Sequence, residues 1–444
     1  MTVAMTRTKA EQALIENFEA AASKLPGGRA VGEARKAAIG AFAGLGLPHR
    51  RIEEWKYTDL RSALKTVPAP ATGPVAGVTA EQVDHALGPL AELEAYRLVF
   101  VDGAYRPELS SATGAKGLDV ASLGAILSKP AAHGSDGMIR AGAPGQEAIV
   151  ALNTAFMTDG ALVSVAKGAE PAKPLLLVFL RAGTDARLIT TRNILKVGDR
   201  ARSAIIEVHA ALPGAASGQA NTLSEIVVGD GAEFVHVKCT LEGAGVGHLA
   251  SWIATLGARA SYRVFQVTAG TGLVRNHVLT TFRGEGARLD ISGCFLGRGE
   301  EHIDTTLVVD HAVPGCESRE LFKGVLADRA RGIFQGKVIV RPDAQKTDGK
   351  QMAQALMLSE DAEFDSKPEL EIHADDVVCG HGSTAAEIDP DMLFYLRARG
   401  IPLKDARALL IESFVGEAIE KIENEELRET VSRLAKERLA AVSA

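Results

Sequence analysis

The sequence has few cysteines, no surplus of basic residues and no long apolar run. Its four cysteines (Cys239, Cys294, Cys316 and Cys379) are far apart and form no Cys-x-x-Cys pair, so we expect free thiols in a reducing cytoplasm. The formal net charge of -7 argues against nucleic-acid binding, which depends on clustered Lys and Arg. No apolar stretch reaches the roughly 18 residues that a membrane span needs, and the N-terminal residues lack the apolar segment of a secretory signal.

The motifs of several common catalytic sites are also absent. The sequence contains no phosphate-binding loop of the Gly-x-x-x-x-Gly-Lys-Ser/Thr type, no Gly-x-Ser-x-Gly and no His-Glu-x-x-His. Glycine-rich stretches at 243–247 and 332–337 have neither the spacing nor the surroundings of a nucleotide site, and we expect both to be loops.

The apolar content, 46% of 444 residues, is sufficient for a large core. Residues 1–95 form a predicted N-terminal helical region, in which Ala10, Leu14 and Phe18 recur at helix spacing before a Pro-Gly-Gly break at 26–28. A Pro-rich linker follows at 67–74. Residues 96–160 are predicted to mix strands and loops, with an Asp-Gly hairpin turn within 98–105.

The middle of the chain, 161–388, contains an internal repeat in which an alanine follows a Gly- or Asp-containing corner and precedes an apolar run. These alanines are Ala201, Ala232, Ala260, Ala287, Ala330 and Ala362, and their spacings are 31, 28, 27, 43 and 32 residues. Stacked coils need a small residue at each tight corner, and one coil cannot bury its inward face alone, so the repeat favours a parallel β-helix. A two-sheet sandwich is the alternative.

Residues 389–444 return to a helical pattern. The apolar positions at helix spacing are Ile411, Val415, Ile419 and Ile422, followed by Leu427, Val431 and Leu434. This apolar stripe either caps the end of the solenoid or forms a partner surface, and the sequence leaves both interpretations open.

The window 367–401, KPELEIHADDVVCGHGSTAAEIDPDMLFYLRARGI, concentrates the groups that carry chemistry. Cys379 and His381 are two residues apart, so their side chains share one face of an extended segment. Thiolate and imidazole are ligands for iron, copper and zinc, but two ligands do not complete a site. The others would come from this chain or from a second subunit, and a buried Cys beside a hydrogen-bonded His is the alternative. The other candidate donors in this chain are Cys316, His302, His311 and His373.

Asp375 and Asp376 precede this pair. Adjacent residues on a strand point to opposite faces, so the two carboxylates cannot act together on one bond. We interpret them as a solvated strand end.

Four blocks of the sequence, in order along the chain, resemble the SufB/SufD family of scaffold subunits in the SUF iron–sulfur cluster assembly system. The blocks are 46–61 (GLPHRRIEEWKYTDLR), 152–161 (containing LNTAF and DGA), 336–348 (containing GKVIV and AQKTD) and the window 367–401. Within this family the chain is SufD-like, because 379–384 read CGHGST where SufB-like members usually have Cys-x-His-Glu, and because no cysteine precedes Cys239. Ala385 and Ala386 depart from the usual Val-Gly, which affects a turn rather than a donor.

The resemblance implies a mainly β fold, with a right-handed parallel β-helix core between N-terminal and C-terminal α-helical regions. It also implies a non-catalytic scaffold that pairs with SufB through the β-helices and with the ATPase SufC through 389–444. The residues expected to dock SufC are Asp391, Leu393, Phe394, Tyr395, Leu396 and Arg399.

At the implied interface with SufB, His381 would be a transient metal ligand shared with that subunit, and Cys379 would lie beside it. Iron or a nascent Fe–S cluster would be transient cargo, and the isolated chain would hold no stable cofactor. A reduced flavin would bind the whole complex, at no site that this sequence identifies.

Other functions stay open at this point. The chain could be a SufB-like cluster-binding subunit, a β-helix polysaccharide lyase or hydrolase, or a stand-alone metal-storage protein. The isolated chain could also pair with itself as a homodimer, because the sheet edge that meets SufB would otherwise be exposed.

Overall fold

A computed structural model describes residues 7–112, 114–129 and 147–442, so part of the predicted 96–160 segment lies outside the described residues. The helices are α1 (Lys9–Ala21), α2 (Arg29–Leu45), α3 (Leu60–Ala63), α4 (Ala80–Leu87), α5 (Leu123–Leu127), α6 (Glu147–Phe156), α7 (Pro390–Ala398), α8 (Leu403–Ile419) and α9 (Glu425–Val442). Short 3₁₀ helices lie at Glu53–Trp55, Gly88–Glu92 and Pro107–Leu109. None of the helices in these ranges has the length and apolar character required to cross a membrane.

The strands lie between residues 96 and 386, and most of them follow α6. They are β1 (Tyr96–Val101), β2 (Ala104–Tyr105), β3 (Leu118–Ser122), β4 (Ala161–Val165), β5 (Leu175–Arg181), β6 (Leu188–Val197), β7 (Arg202–Ala211), β8 (Gln219–Val228), β9 (Glu233–Leu241), β10 (Gly243–Leu256), β11 (Ser261–Ala269), β12 (Thr271–Phe282), β13 (Arg288–Gly297), β14 (His302–His311), β15 (Glu317–Leu326), β16 (Arg331–Val340), β17 (Asp348–Met357), β18 (Glu363–Ile372) and β19 (Val378–Ala386).

From β4 onward the chain alternates between two sheets. Sheet I has the order β19-β17-β15-β13-β11-β9-β7-β5-β1-β2, and sheet II has the order β18-β16-β14-β12-β10-β8-β6-β4-β3. Each strand of the solenoid pairs in parallel with the strand two places earlier, with unbroken register in most pairs. The fold is therefore a parallel β-solenoid of about eight turns, which confirms the β-helix and excludes the sandwich.

The corners correct the predicted alanine repeat in one respect. The small residues that precede the strands of sheet I are Ala201, Ala232, Ala260, Ala287, Cys316, Ala344 and Ala374, and all are buried. Ala330 and Ala362 instead precede β16 and β18, at the opposite corner. The 43-residue gap arose because the predicted repeat changed corners after Ala287, and Cys316 takes the alanine position that the prediction missed.

Stacking explains why these corners use small residues and glycine. A Cβ on Gly284 would lie 2.0 Å from the backbone nitrogen of Ala258, in the corner of the preceding coil, so any side chain there would force the coils apart. The glycine-rich stretches predicted to be loops lie in strands instead, 332–337 inside β16 and 243–247 at the start of β10. Within β16, a Cβ on Gly336 would lie 2.0 Å from Gln351 Oε1, in the solenoid interior.

Apolar side chains pack in three main layers. The first fills the interior between the sheets, as with Phe322 and Ala353. The second lies on the outer face of sheet I, where Ile411 and Val415 of α8 and Val431 of α9 pack against the strands. The third joins α1, α2 and α6 near the start of sheet II. The C-terminal apolar stripe is thus buried against the side of the solenoid, which is neither the end cap nor the open partner surface considered from the sequence.

Candidate functional site

The C-terminal end of the solenoid is much less buried than its middle. No residue of β18 or β19 is fully buried, whereas most residues of β13 and β14 are. Among the described residues, β18 pairs only with β16 and β19 pairs only with β17. The last coil therefore presents two open sheet edges and an accessible interior mouth.

Cys379 and His381 both lie on β19, at this open end. Cys379 is opposite Gly349 and His381 is opposite Gln351 in the neighbouring strand β17. Two residues further along the same face of β17, Ala353 belongs to the interior core, so both side chains are on the interior side of the strand. Cys379 is half-buried and His381 is exposed, which leaves the imidazole accessible at the mouth. Burial raises the pKa of the Cys379 thiol, although the backbone of Gly349 partly offsets it.

A polar layer lies directly beneath this pair. Ser318 is opposite Gly349, and Glu320 is opposite Gln351, on strand β15. A Cβ on Gly349 would lie 3.4 Å from Ser318 Oγ and 3.6 Å from Cys379 Sγ, so the glycine leaves the thiol and the hydroxyl on either side of one gap. Two columns thus run inward from the mouth, Cys379 above Ser318 and His381 above Gln351 and Glu320.

The other candidate donors do not join Cys379 and His381. His302 lies on the outer face of sheet II, with its Nε2 2.9 Å from Thr58 Oγ1. His311 is buried in the interior, with its Nε2 3.1 Å from Ser318 Oγ. His373 is exposed and lies 3.1 Å from Glu371. Cys316 is buried at its corner. Within the described ranges, no three His, Cys, Asp or Glu side chains form a group that could hold a metal ion.

The acidic doublet lies in the turn between β18 and β19 rather than on a strand. Both Asp375 and Asp376 are exposed, and Asp376 forms an ion pair with Lys346 of the preceding coil. The backbone nitrogen of Lys346 donates to the Asp376 carbonyl oxygen at 2.7 Å. The doublet thus stabilises a corner, which agrees with its interpretation as a solvated strand end rather than a catalytic pair.

Helix α7 begins immediately after the open end, with Asp389 as its N-cap. No residue of α7 is buried: Phe394 is 74% exposed and Tyr395 is 56% exposed, while Leu393 and Leu396 are half-buried. The Arg399 guanidinium lies 3.4 Å from the centre of the Tyr395 ring. We call the exposed side chains of Met392, Phe394 and Tyr395 on this helix the α7 patch. Exposed apolar groups at this density are typical of a protein interface.

The block 46–61 forms a strap over the outer face of sheet II. The buried Trp55 ring lies 3.9 Å from the guanidinium of Arg275 on β12, which is paired with Asp304 on β14. Thr58 donates to the same carboxylate, and Glu53 pairs with Lys367 on β18. This block therefore holds the N-terminal region against strands from β12 to the last coil.

The interior also contains ionic groups that sequence reasoning did not identify. Glu207 lies 2.6 Å from His209 and 3.3 Å from His236, and Glu242 lies 3.5 Å from Arg181. Burial would raise the pKa of Glu207, but hydrogen bonds from the two histidines outweigh burial and hold it well below its usual value. Alternate residues of each strand face the interior, so a known strand register would have identified these residues as inward-facing. The sequence alone does not give that register.

The chain is similar to known proteins over most of its length. A family model described as the SufBD protein N-terminal region matches residues 8–177, and one described as the SUF system FeS cluster assembly SufBD core domain matches residues 179–414. The iron–sulfur cluster assembly protein SufD of Escherichia coli is 32% identical over 391 residues, which cover 87% of this chain and 88% of that protein. A SufBD family protein of Synechocystis is 32% identical over 402 residues, covering 87% and 86%. SufD of Bacillus subtilis is 28% identical over 282 residues, covering 62% and 63%.

Proposed function

The chain belongs to the SufBD family of iron–sulfur cluster assembly proteins, and from that membership we propose that it is the SufD-type, non-catalytic scaffold subunit of a SUF complex. In this proposal it pairs with SufB through the open end of the solenoid and with the ATPase SufC through its C-terminal helices. Cluster assembly takes place at the interface with SufB, and iron or the nascent cluster is cargo there.

The observation that carries this proposal is the position of Cys379 and His381 on β19. In the described part of the chain, the outer edge of this strand has no partner, and such an edge is a template for a strand of another chain. A partner strand added there would lie next to the Cys379 and His381 side chains. A thiolate and a neutral imidazole are both ligands for iron. A cysteine from the partner would therefore add a further ligand to the two that this chain supplies.

His381 is the residue through which the site is tested. In the complex purified with its cognate SufB and SufC, His381→Ala is expected to leave the three subunits together, because the side chain is exposed. It is expected to abolish cluster formation, because it removes the proposed imidazole ligand. His373→Ala is the matched control, since it removes an exposed imidazole from the adjacent turn. Cluster formation at the normal rate in the complex containing His381→Ala would overturn the assigned role.

The α7 patch supports the proposed contact with SufC. Its apolar side chains are exposed immediately beside the open end, so movement of a bound ATPase would act close to the cluster interface. Phe394→Lys is expected to remove SufC from the purified complex while SufB is retained. Leu45→Lys is the control, because Leu45 is an exposed apolar residue at the end of α2, outside the patch. Retention of SufC by the Phe394 variant would place its contact elsewhere.

The open edge of β19 also predicts how the isolated chain behaves. A second copy of the chain offers the same strand, so the isolated chain is expected to form a homodimer that SufB displaces. Sedimentation of the chain alone and with SufB measures this exchange. A reduced flavin on the assembled complex stays a prediction to which no residues are assigned.

A further inference from the structure

Glu320 is a carboxyl group buried in the interior of the solenoid. The residue is 3% exposed, and neither carboxyl oxygen makes a hydrogen bond with another group of the described chain. Isolated carboxylates are costly to bury, and proteins usually pair them or keep them protonated. Burial accordingly raises the pKa of Glu320 to about 8, although Ser318 and Arg319 counteract it.

The groups around Glu320 do not supply a dedicated cation. The guanidinium of the adjacent Arg319 is bound to Asp348, with an N–O distance of 2.6 Å. Asp290 on β13 is acidic and raises the pKa of Glu320 further. His311 on β14 lies with its Nε2 3.1 Å from Ser318 Oγ, and burial lowers its pKa to about 4, so it is neutral. Among the described residues, no basic group therefore forms an ion pair with Glu320.

The direction in which Glu320 faces indicates where that charge would come from. Along the interior face of sheet I, Glu320 is followed by Gln351 and then by His381, one residue per strand. Two strand spacings separate the first and last, which is about 10 Å. Gln351 is also 3% exposed, its Oε1 has no hydrogen-bond partner, and its Nε2 donates to the Glu369 carbonyl at 3.3 Å. Beyond this column lie only the mouth of the solenoid and the accessible imidazole.

We propose that Glu320 is the counter-charge of the cluster-assembly site, a neutral acid while the site is empty and a carboxylate while a divalent metal ion is held at Cys379 and His381. This inference rests on the proposed function and makes Glu320 a positioning residue, because β17 separates it from both donors. When the metal binds, the Cys379 S–H bond breaks and a sulfur–metal bond forms, while the Glu320 O–H bond breaks without a new bond. Both protons pass to solvent, and the imidazole of His381 contributes a lone pair. One dication is then balanced by one thiolate and one carboxylate.

The magnitude follows from the spacing. Two unit charges about 10 Å apart, at an effective dielectric constant of about 20, change a binding equilibrium by about tenfold. Replacing Glu320 by Gln should therefore weaken metal binding by up to about tenfold above about pH 8, where the carboxyl group is already ionised. At about pH 7 the loss should be smaller, because removing the proton offsets part of the attraction, and the variant should release fewer protons than the unaltered complex.

The experiment uses Co²⁺ as the probe, on the whole complex with cognate SufB and SufC, in the absence of any sulfur donor. Thiolate-to-cobalt absorption measures affinity, and a pH indicator counts the protons released per bound ion. The variants are Glu320→Gln, Glu320→Asp and, as the matched control on the same strand, the partly exposed Glu317→Gln. Glu320→Gln is expected to lose affinity and to release fewer protons at about pH 7, Glu320→Asp to retain most of both, and Glu317→Gln to match the unaltered complex.

The outcomes separate the two proposals. If His381→Ala weakens Co²⁺ binding but Glu320→Gln changes neither affinity nor proton count, the counter-charge inference is overturned and the proposed function stands. If His381→Ala binds Co²⁺ like the unaltered complex, the site itself is misassigned and the inference falls with it. An equal loss in Glu320→Gln and Glu320→Asp, with unchanged proton release, would mean that the residue acts through shape rather than charge.

Discussion

Replacing Glu320 by Gln is expected to stabilise the isolated chain at alkaline pH relative to the unaltered protein. The buried carboxyl group has a pKa of about 8 in the folded chain against 4.5 for an ordinary glutamate. Between these values the unfolded chain has lost the proton and the folded chain has kept it. The folded state binds more protons, so the free energy of unfolding falls as pH rises through this window.

The size of the effect follows from the difference between the two pKa values. Each pH unit corresponds to about 1.4 kcal/mol, so the full window is worth up to about 5 kcal/mol. Stability from the neutral acid is fully present below about pH 4.5 and is lost by about pH 8. A glutamine has nearly the same shape and no proton to lose, so its cost or benefit is the same at every pH.

Urea unfolding at about pH 5 and about pH 8.5 measures the prediction. Both tryptophans are buried, Trp55 within the strap and Trp252 in the interior, so their fluorescence reports the loss of both layers. The quantity of interest is the difference between the variant and the unaltered protein, because every other titrating group cancels. Glu317→Gln, which removes a partly exposed carboxyl group from the same strand, is the matched control. A difference for Glu320→Gln that stays constant within about 1 kcal/mol would refute the reasoning, since Glu320 would then be ionised in the folded chain.

Three further predictions concern the packing that holds the site. Ile411→Ala should lower the free energy of unfolding in urea by about 2–5 kcal/mol, because it leaves a cavity in the layer between α8 and sheet I. Met392→Ala, at a side chain that is 59% exposed, should change stability by less than about 0.5 kcal/mol. Similar losses for both variants would mean that α7 is packed too. Cys316→Ala should be nearly neutral and Cys316→Leu should cost about 1–3 kcal/mol by overpacking the corner, and a stable Leu variant would show that the small-residue column tolerates bulk. Trp55→Ala should cost about 3–5 kcal/mol and speed proteolysis within the strap, because it uncovers Arg275; unchanged proteolysis would show that the strap is held by its other contacts.

The sequence predicted the solenoid well because the repeat is local. A coil of about 30 residues carries its own corner and its own apolar runs, so Ala201, Ala232, Ala260 and Ala287 marked successive turns correctly. The prediction then changed corners at Ala330, since an alanine after an acidic turn looks the same at either side of the coil. Cys316 was overlooked because the predicted repeat was defined by alanine. The corner requires only a small residue, and cysteine meets that requirement.

The candidate site was found in part for a similar reason. The two-residue spacing of Cys379 and His381 fixes a shared face wherever the segment is extended, and the neighbouring motif identified the family. Glu320 and Gln351 left no comparable signal, because their relation to His381 passes through strands that are separated by about 30 residues each.

The amino-acid order therefore determined the coil, the helical termini, the family and the two candidate donors. Tertiary structure decided which corner each small residue occupies, which strand is last, and which polar side chains face inward beneath His381. The physical reason is that the side-chain period along a strand is set locally by the backbone, whereas the stacking of one coil on the next depends on hydrogen bonds between distant segments. Only that stacking places a carboxyl group two strands below an open edge.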